Sequence, residues 1–210
     1  MKIKVSKPII KFIEESSFEE DLKTNLFENR KYSSNPILKI DIESILYNSC
    51  VFENIDFSLI GLKSVSFLDC QFINCKFIKN DFSKSSLTRC EFINCNFLDV
   101  SFYRSSLVNV FFDNCSSKYS NFQESQIEKL YVKNSYMYSS YFNYSTMDVL
   151  YFEKVDFQES EFINSPLNGT DLSTCNLKNI KIDLKSIKGC KVNSSQAISI
   201  LKLLDIDVIE

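Results

Sequence analysis

Between Cys70 and Phe82 the chain reads C-Q-F-I-N-C-K-F-I-K-N-D-F, with a large apolar side chain at Phe72, Phe77 and Phe82 and a small one two residues earlier at Cys70 and Cys75. The period is five. Neither the 3.6-residue period of a helix nor the two-residue period of a strand produces it, so the pattern predicts a repeat architecture. Extended from Phe52 to Val192, the frame has 29 large slots, and 28 hold Phe, Leu, Ile, Val or Met, Ser117 being the exception. Fifteen are Phe, which predicts an aromatic core. Two residues before each slot, 22 of 29 positions are Cys, Ser, Val or Thr, with Asn80 and Lys185 as polar departures. Each unit therefore offers one large and one small inward position and leaves three positions to water. Phe72, Phe77, Phe82, Phe92 and Phe97, with Cys70, Cys75, Cys90 and Cys95, are the expected structural core.

A second period of twenty lies over the first. Non-Phe residues recur at Leu87, Leu107, Ile127, Met147, Leu167 and Ile187, and Asn54, Asn74, Asn94, Asn114 and Asn134 recur at the same interval. Four units thus make one coil, and the asparagines predict an amide ladder over five coils. With strands ~4.8 Å apart, seven coils would make a rod roughly 35 Å long. The units C-Q-F-I-N, C-E-F-I-N, V-S-F-Y-R and T-D-L-S-T resemble the A(D/N)LXX units of the pentapeptide-repeat family. That resemblance implies an all-β solenoid, a right-handed quadrilateral β-helix with a short helical cap at the N-terminus and a helix at the C-terminus.

The ends depart from the frame, which predicts three segments: an N-terminal cap over residues 1–36, the β-helix over 37–192, and a closing segment over 193–210. Ser17-Phe18-Glu19-Glu20 has the form of a capping box, and Phe18, Leu22 and Leu26 follow at helical spacing. Ile37, Ile42 and Tyr47 are in phase, with Ile40 and Ile45 in the small slots, as in a degenerate first coil. At the other end Ser194 or Ser195 can cap a short helix apolar on more than one face, followed by alternating Ile206 and Val208 as in a short strand. Such a helix at a chain end predicts a homodimer. The tail K-V-N-S-S-Q-A-I-S-I-L-K-L-L-D-I-D-V-I-E is similar to that of the Qnr-type quinolone-resistance proteins. The similarity implies dimerisation through Gln196, Ala197, Leu201, Leu204, Ile206, Val208 and Ile209. It further implies a DNA mimic that binds a type II topoisomerase, DNA gyrase or topoisomerase IV.

Composition narrows the chemistry. Three scattered glycines cannot build a phosphate loop, and with no His there is no imidazole to activate the abundant serines. No enzyme activity and no cofactor are expected. All eight cysteines fall in the small slot, where packing rather than ligation decides the position, so reduced core thiols are expected in place of zinc or disulfides. The net charge of −3 is spread in mixed signs, with no basic stripe for nucleic acid or membrane. No apolar run approaches the ~20 residues of a membrane helix, and the N-terminus lacks the form of a signal peptide, so a cytoplasmic protein is expected. The mixed charge and the absence of loop insertions depart from the Qnr pattern. Outward aromatics supply another surface: Phe111, Tyr131, Tyr136, Tyr138, Tyr141 and Tyr151 are candidate partner contacts, with Phe111, Tyr131 and Tyr151 in one column. Stacking between neighbouring strands would explain the same column. Two functions stay open: a gyrase-binding modulator of quinolone susceptibility, and a structural or interaction scaffold with an unrelated protein partner.

Overall fold

The computed structural model describes residues 5–202, 206, 208 and 209. Its backbone is built from one recurring corner. At the second residue after most large slots the chain turns left-handed, as at Asn54, Asn74, Lys84, Arg89 and Asn94, whose φ angles lie between 51° and 60°. Asparagine tolerates this region better than most residues, which explains its frequency there. Each corner aims the chain along the adjoining side, either between two short strands, as at Asn74, or within one longer strand, as at Arg89. The strands Ser86–Ile93, Ser106–Asp113, Gln126–Lys133 and Thr146–Glu153 pair in parallel, each residue with its counterpart twenty positions on. The coil is therefore twenty residues, and the chain forms a parallel β-solenoid of about eight turns.

Stacking a twenty-residue coil on itself puts identical slots one strand spacing apart. Phe52, Phe72, Phe92 and Phe112 are stacked with ring centroids 4.8, 4.5 and 4.9 Å apart and are fully buried. Phe82, Phe102, Phe122, Phe142 and Phe162 form a second column. The small slot does more than save space. Cys70 Sγ donates to the carbonyl of Tyr47 (3.4 Å) and Cys90 Sγ to that of Phe67 (3.4 Å), while Ser160 Oγ donates to Met137 O (2.5 Å). Asn80 fits the same slot by donating to Phe57 O (2.8 Å) and Ile60 O (2.9 Å). Ser117, the one polar large slot, is buried and bonded to Ser120 Oγ (2.7 Å).

Four local expectations are revised. The N-terminal helix Phe18–Thr24 does form, with Ser17 Oγ accepting from Glu20 N (3.2 Å), but Leu22 and Leu26 are exposed. Its inner face is Phe18 and Asp21, because the buried Tyr32 hydroxyl needs an acceptor and finds Asp21 Oδ2 at 2.6 Å. Phe18 stacks on Tyr32 (4.5 Å) and Tyr32 on Phe52 (5.0 Å), so the helix adds the terminal ring to the first aromatic column. The ladder reaches back beyond residue 37: strand Arg30–Tyr32 pairs with Val51–Glu53, and Phe27 is buried, whereas Ile37 is 88% exposed. The amide ladder runs through Asn54, Asn74, Asn94 and Asn114, after which Asn134 Nδ2 turns to Asp113 Oδ1 (3.5 Å). Near the C-terminus a short helix, Leu184–Ile187, replaces one strand and slips the frame by one. Ser186 therefore fills the small slot, its Oγ accepting from Ser165 N (2.8 Å), and Lys185 points out.

Candidate interaction surfaces

On the side formed by the long strands, the outward position just before the large slot carries Gln71, Glu91, Phe111, Tyr131 and Tyr151 in register. Phe111 and Tyr131 have ring centroids 4.9 Å apart, and Tyr131 meets Tyr151 edge-on at 6.3 Å. Tyr131 Oη donates to Glu153 Oε2 (2.7 Å), and burial together with that carboxylate pushes the phenol up to about 12. Tyr136 and Tyr138 belong to the next sheet, where Tyr138 packs edge-on against Tyr119 (6.2 Å) and donates to Glu159. Tyr141 lies on a third side, bridged to Asn121 and Glu161. The six candidate contacts are thus distributed over three sides, and only Phe111, Tyr131 and Tyr151 are brought together. A residue before a large slot can sit on any of four sides, and only the remainder after division by twenty tells which.

Charges follow the same period. Lys76 pairs with Asp56 (3.2 Å), Arg89 with Asp69 (2.6 Å), Arg104 with Glu124 (2.7 Å) and Lys181 with Glu161 (2.7 Å), each across one coil. Many acids are in this way locally neutralised. Two charged residues that the sequence reading did not single out, Lys7 and Glu91, meet on the aromatic side with Nζ 3.0 Å from Oε1, and Glu91 is buried. Eighty-four positions separate them in the chain, and no local pattern marks the pair.

At the C-terminal end the helix Ser194–Lys202 lies across the last coil. Gln196 is buried, and its Nε2 donates to Leu172 O (2.8 Å) and Cys175 O (2.7 Å), carbonyls that no further coil is there to satisfy. Its place is therefore against the rod, seating the helix, rather than on an outer surface. Ala197 and Leu201 are half-buried, while Ile198, Ile206 and Val208 are exposed and Ile209 is 93% exposed. Leu204 lies outside the described residues, and Ile206 and Val208 are not in a strand. The cysteines of the two inner columns, Cys70, Cys75, Cys90 and Cys95, are free and buried, and burial raises the thiols of Cys70, Cys90 and Cys95. Among the described residues no group of three or more His, Cys, Asp or Glu could hold a metal ion, and no helix is long and apolar enough to cross a membrane.

Residues 65–142 match the family described as pentapeptide repeat region, and the coil geometry continues on both sides of that match. Those residues are a run of pentapeptide repeats. Residues 10–102 of the rod also match the SV2A/B/C luminal domain family. None of the curated proteins matches the sequence. Among solved structures, the rod is similar to a trypsin-treated variant of QnrB1, a plasmid-mediated fluoroquinolone resistance protein. Identity is 19% and the TM-score 0.52, over 87% of this chain and 89% of that one. A second trypsin-treated QnrB1 variant gives 20% identity and a TM-score of 0.43, over 87% and 95% of the two chains. HetL, a pentapeptide-repeat protein involved in heterocyst differentiation regulation in the cyanobacterium Nostoc, gives 10% and 0.32, over 83% and 89%. At these identities what is shared with the first is the fold.

Proposed function

We propose that this protein is a rod-shaped protein-interaction module that binds a type II topoisomerase, DNA gyrase, as a mimic of DNA, and so modulates quinolone susceptibility. The observation that carries the reading is the uninterrupted solenoid, which follows a fluoroquinolone resistance protein over 87% of the chain. About eight turns at ~4.8 Å give a rod roughly 38 Å long, and the exposed Ile198, Ile206, Val208 and Ile209 suit a second copy joined end to end. The filled core leaves function to the outer surface, where recognition rather than chemistry is the natural use.

A second reading, an interaction scaffold with an unrelated partner, is favoured by the ion pairs across coils, which weaken any continuous negative stripe. One experiment separates the two. Gyrase supercoiling is measured over a titration of the protein, with and without ciprofloxacin. Protection or inhibition at concentrations on the order of micromolar or below supports the first reading. No effect at any concentration of folded protein sinks it and leaves the scaffold. An effect that persists when Tyr131 and Tyr151 are both replaced by Ser would remove the aromatic column from the contact surface.

A further inference from the structure

The first described residues do not belong to any coil. They run in extended form along the outside of the rod, across the strands. Ser6 N donates to Asn109 Oδ1 (3.0 Å), Ile9 N donates to Asp69 Oδ1 (2.9 Å), and Ser49 Oγ donates to Ile9 O (3.3 Å). From Asn109 to Asp69 is two coils, about 9.6 Å at the strand spacing. Three residues of extended chain span about 10 Å, so the segment is stretched nearly to its limit. Pro8 presets this shape, since it fixes its own φ and pushes Lys7 out of the helical region.

Beneath this segment the rod presents a cation site. Glu91 is only 4% exposed although its strand position points outward. One carboxylate oxygen accepts from Gln71 Nε2 (3.0 Å), and the other, Oε1, has no hydrogen-bond partner within the rod and faces the Lys7 ammonium at 3.0 Å. Lys7 Nζ also stands 5.8 Å from the centre of the Phe111 ring. A cavity of about 140 Å³ opens beside the pair, lined by Val5, Ser6, Lys7, Glu91, Phe111 and Tyr131. A desolvated carboxylate next to an aromatic face binds an ammonium group by charge and by cation–π attraction together. The Lys7 side chain is 77% exposed, so the recognising groups are supplied by the rod and only the lysine by the segment.

We propose that this corner of the rod is a docking track for an extended, lysine-bearing segment of a partner protein, with residues 5–9 of the chain itself as its resident competitor. The buried Glu91 selects the lysine, Phe111 and Tyr131 hold its stem, and Asp69 and Asn109 take backbone N–H groups on either side. The partner must bring an unpaired lysine in extended backbone, because Glu91 cannot be left buried without a cation. The track is independent of any binding to gyrase.

The test uses the full chain in two forms, the wild type and Lys7→Glu, whose changed side chain is exposed and repelled by Glu91. The probe is a fluorescent peptide with the sequence of residues 5–13, V-S-K-P-I-I-K-F-I, and a copy with the first lysine acetylated. The peptide is expected to bind Lys7→Glu at least about tenfold more tightly than the wild type, and the acetylated copy at least about tenfold more weakly than the free lysine. Hydrogen exchange should show the Ser6 and Ile9 amides losing protection in Lys7→Glu. Failure of the peptide to bind once those amides are exposed would overturn the proposal, and so would equal binding of the acetylated copy. Amides that stay protected in Lys7→Glu overturn it too, since docking then does not depend on lysine. Self-association of the wild type that the peptide abolishes would overturn the partner assignment in favour of exchange between two copies.

Discussion

The five positions of each unit are selected by different physics, and single residues show where selection was relaxed. The corner residue must take a left-handed backbone, which Asn, Asp or Gly do at little cost. Val149 takes it with φ 54°, although a β-branched side chain is strained there. The strain is of order 1–2 kcal/mol. Replacing Val149, which is 38% exposed, by Asn is therefore expected to stabilise the protein by about 1 kcal/mol, raising the melting temperature by about 2–4 °C. A lower melting temperature would mean that Val149 makes a packing contact worth more than its strain. The small slot selects for size, and several of the Cys and Ser residues that fill it use their donor as well. That double use explains why cysteine and serine share it: both reach a carbonyl of the preceding coil, as Cys90 reaches Phe67 and Ser145 reaches Phe122 (2.6 Å).

At the scale of elements, the strands are too short to be stable alone, and each is held by its neighbours above and below. The ends therefore need polar closure as well as apolar cover. Gln196 repeats at the last coil what Asn80 does in the interior: an amide donates to two carbonyls three residues apart. The extended N-terminal segment is tied in through Asp69, which accepts from Ile9 N and is paired with Arg89 by two bonds of 2.6 Å. The Arg89 guanidinium, with help from the Ile9 amide and against the opposing effect of burial, holds the Asp69 carboxyl below the usual carboxylate range. A carboxyl depressed on folding stabilises fully above its unfolded pKa of about 3.9 and loses that contribution as pH falls through the folded value. Asp69→Asn should thus cost about 2 kcal/mol in urea denaturation at neutral pH. The gap from the wild type should narrow once the pH drops below about 4. A gap independent of pH would assign the loss to packing instead.

The molecule as a whole is a one-dimensional stack, and in three successive coils from Phe52 to Leu107 three of the four large slots are Phe. Phe92 lies between Phe72 (4.5 Å) and Phe112 (4.9 Å) and has Phe77 and Phe97 edge-on beside it. Phe92→Ala is expected to cost about 3–5 kcal/mol, measured by denaturant unfolding, because neighbouring coils fixed by their own ladders cannot close the cavity. A cost below about 1 kcal/mol would show that the stack can compress. The same linear design confines recognition to long outer columns twenty residues apart. An aromatic column, a ladder of asparagines and rows of ion pairs are all consequences of one repeat length.

Periodicity determined a repeat architecture, its twenty-residue coil and the inward Phe and Cys columns, because a buried slot admits few residue types and a fixed spacing makes the restriction visible; the β-solenoid followed from the resemblance of the units to pentapeptide repeats, and the helix that begins after Ser17 from its capping box. Tertiary structure decided what has no period. Leu22 and Leu26 turned outward because Tyr32 needed Asp21, the register slipped at Ser186, and Gln196 turned inward to carbonyls that the end of the stack left open. The meeting of Lys7 with Glu91 belongs to the same class: the outer face of a strand accepts almost any residue, so nothing in the pattern marks Glu91 as buried until the segment that covers it is in place.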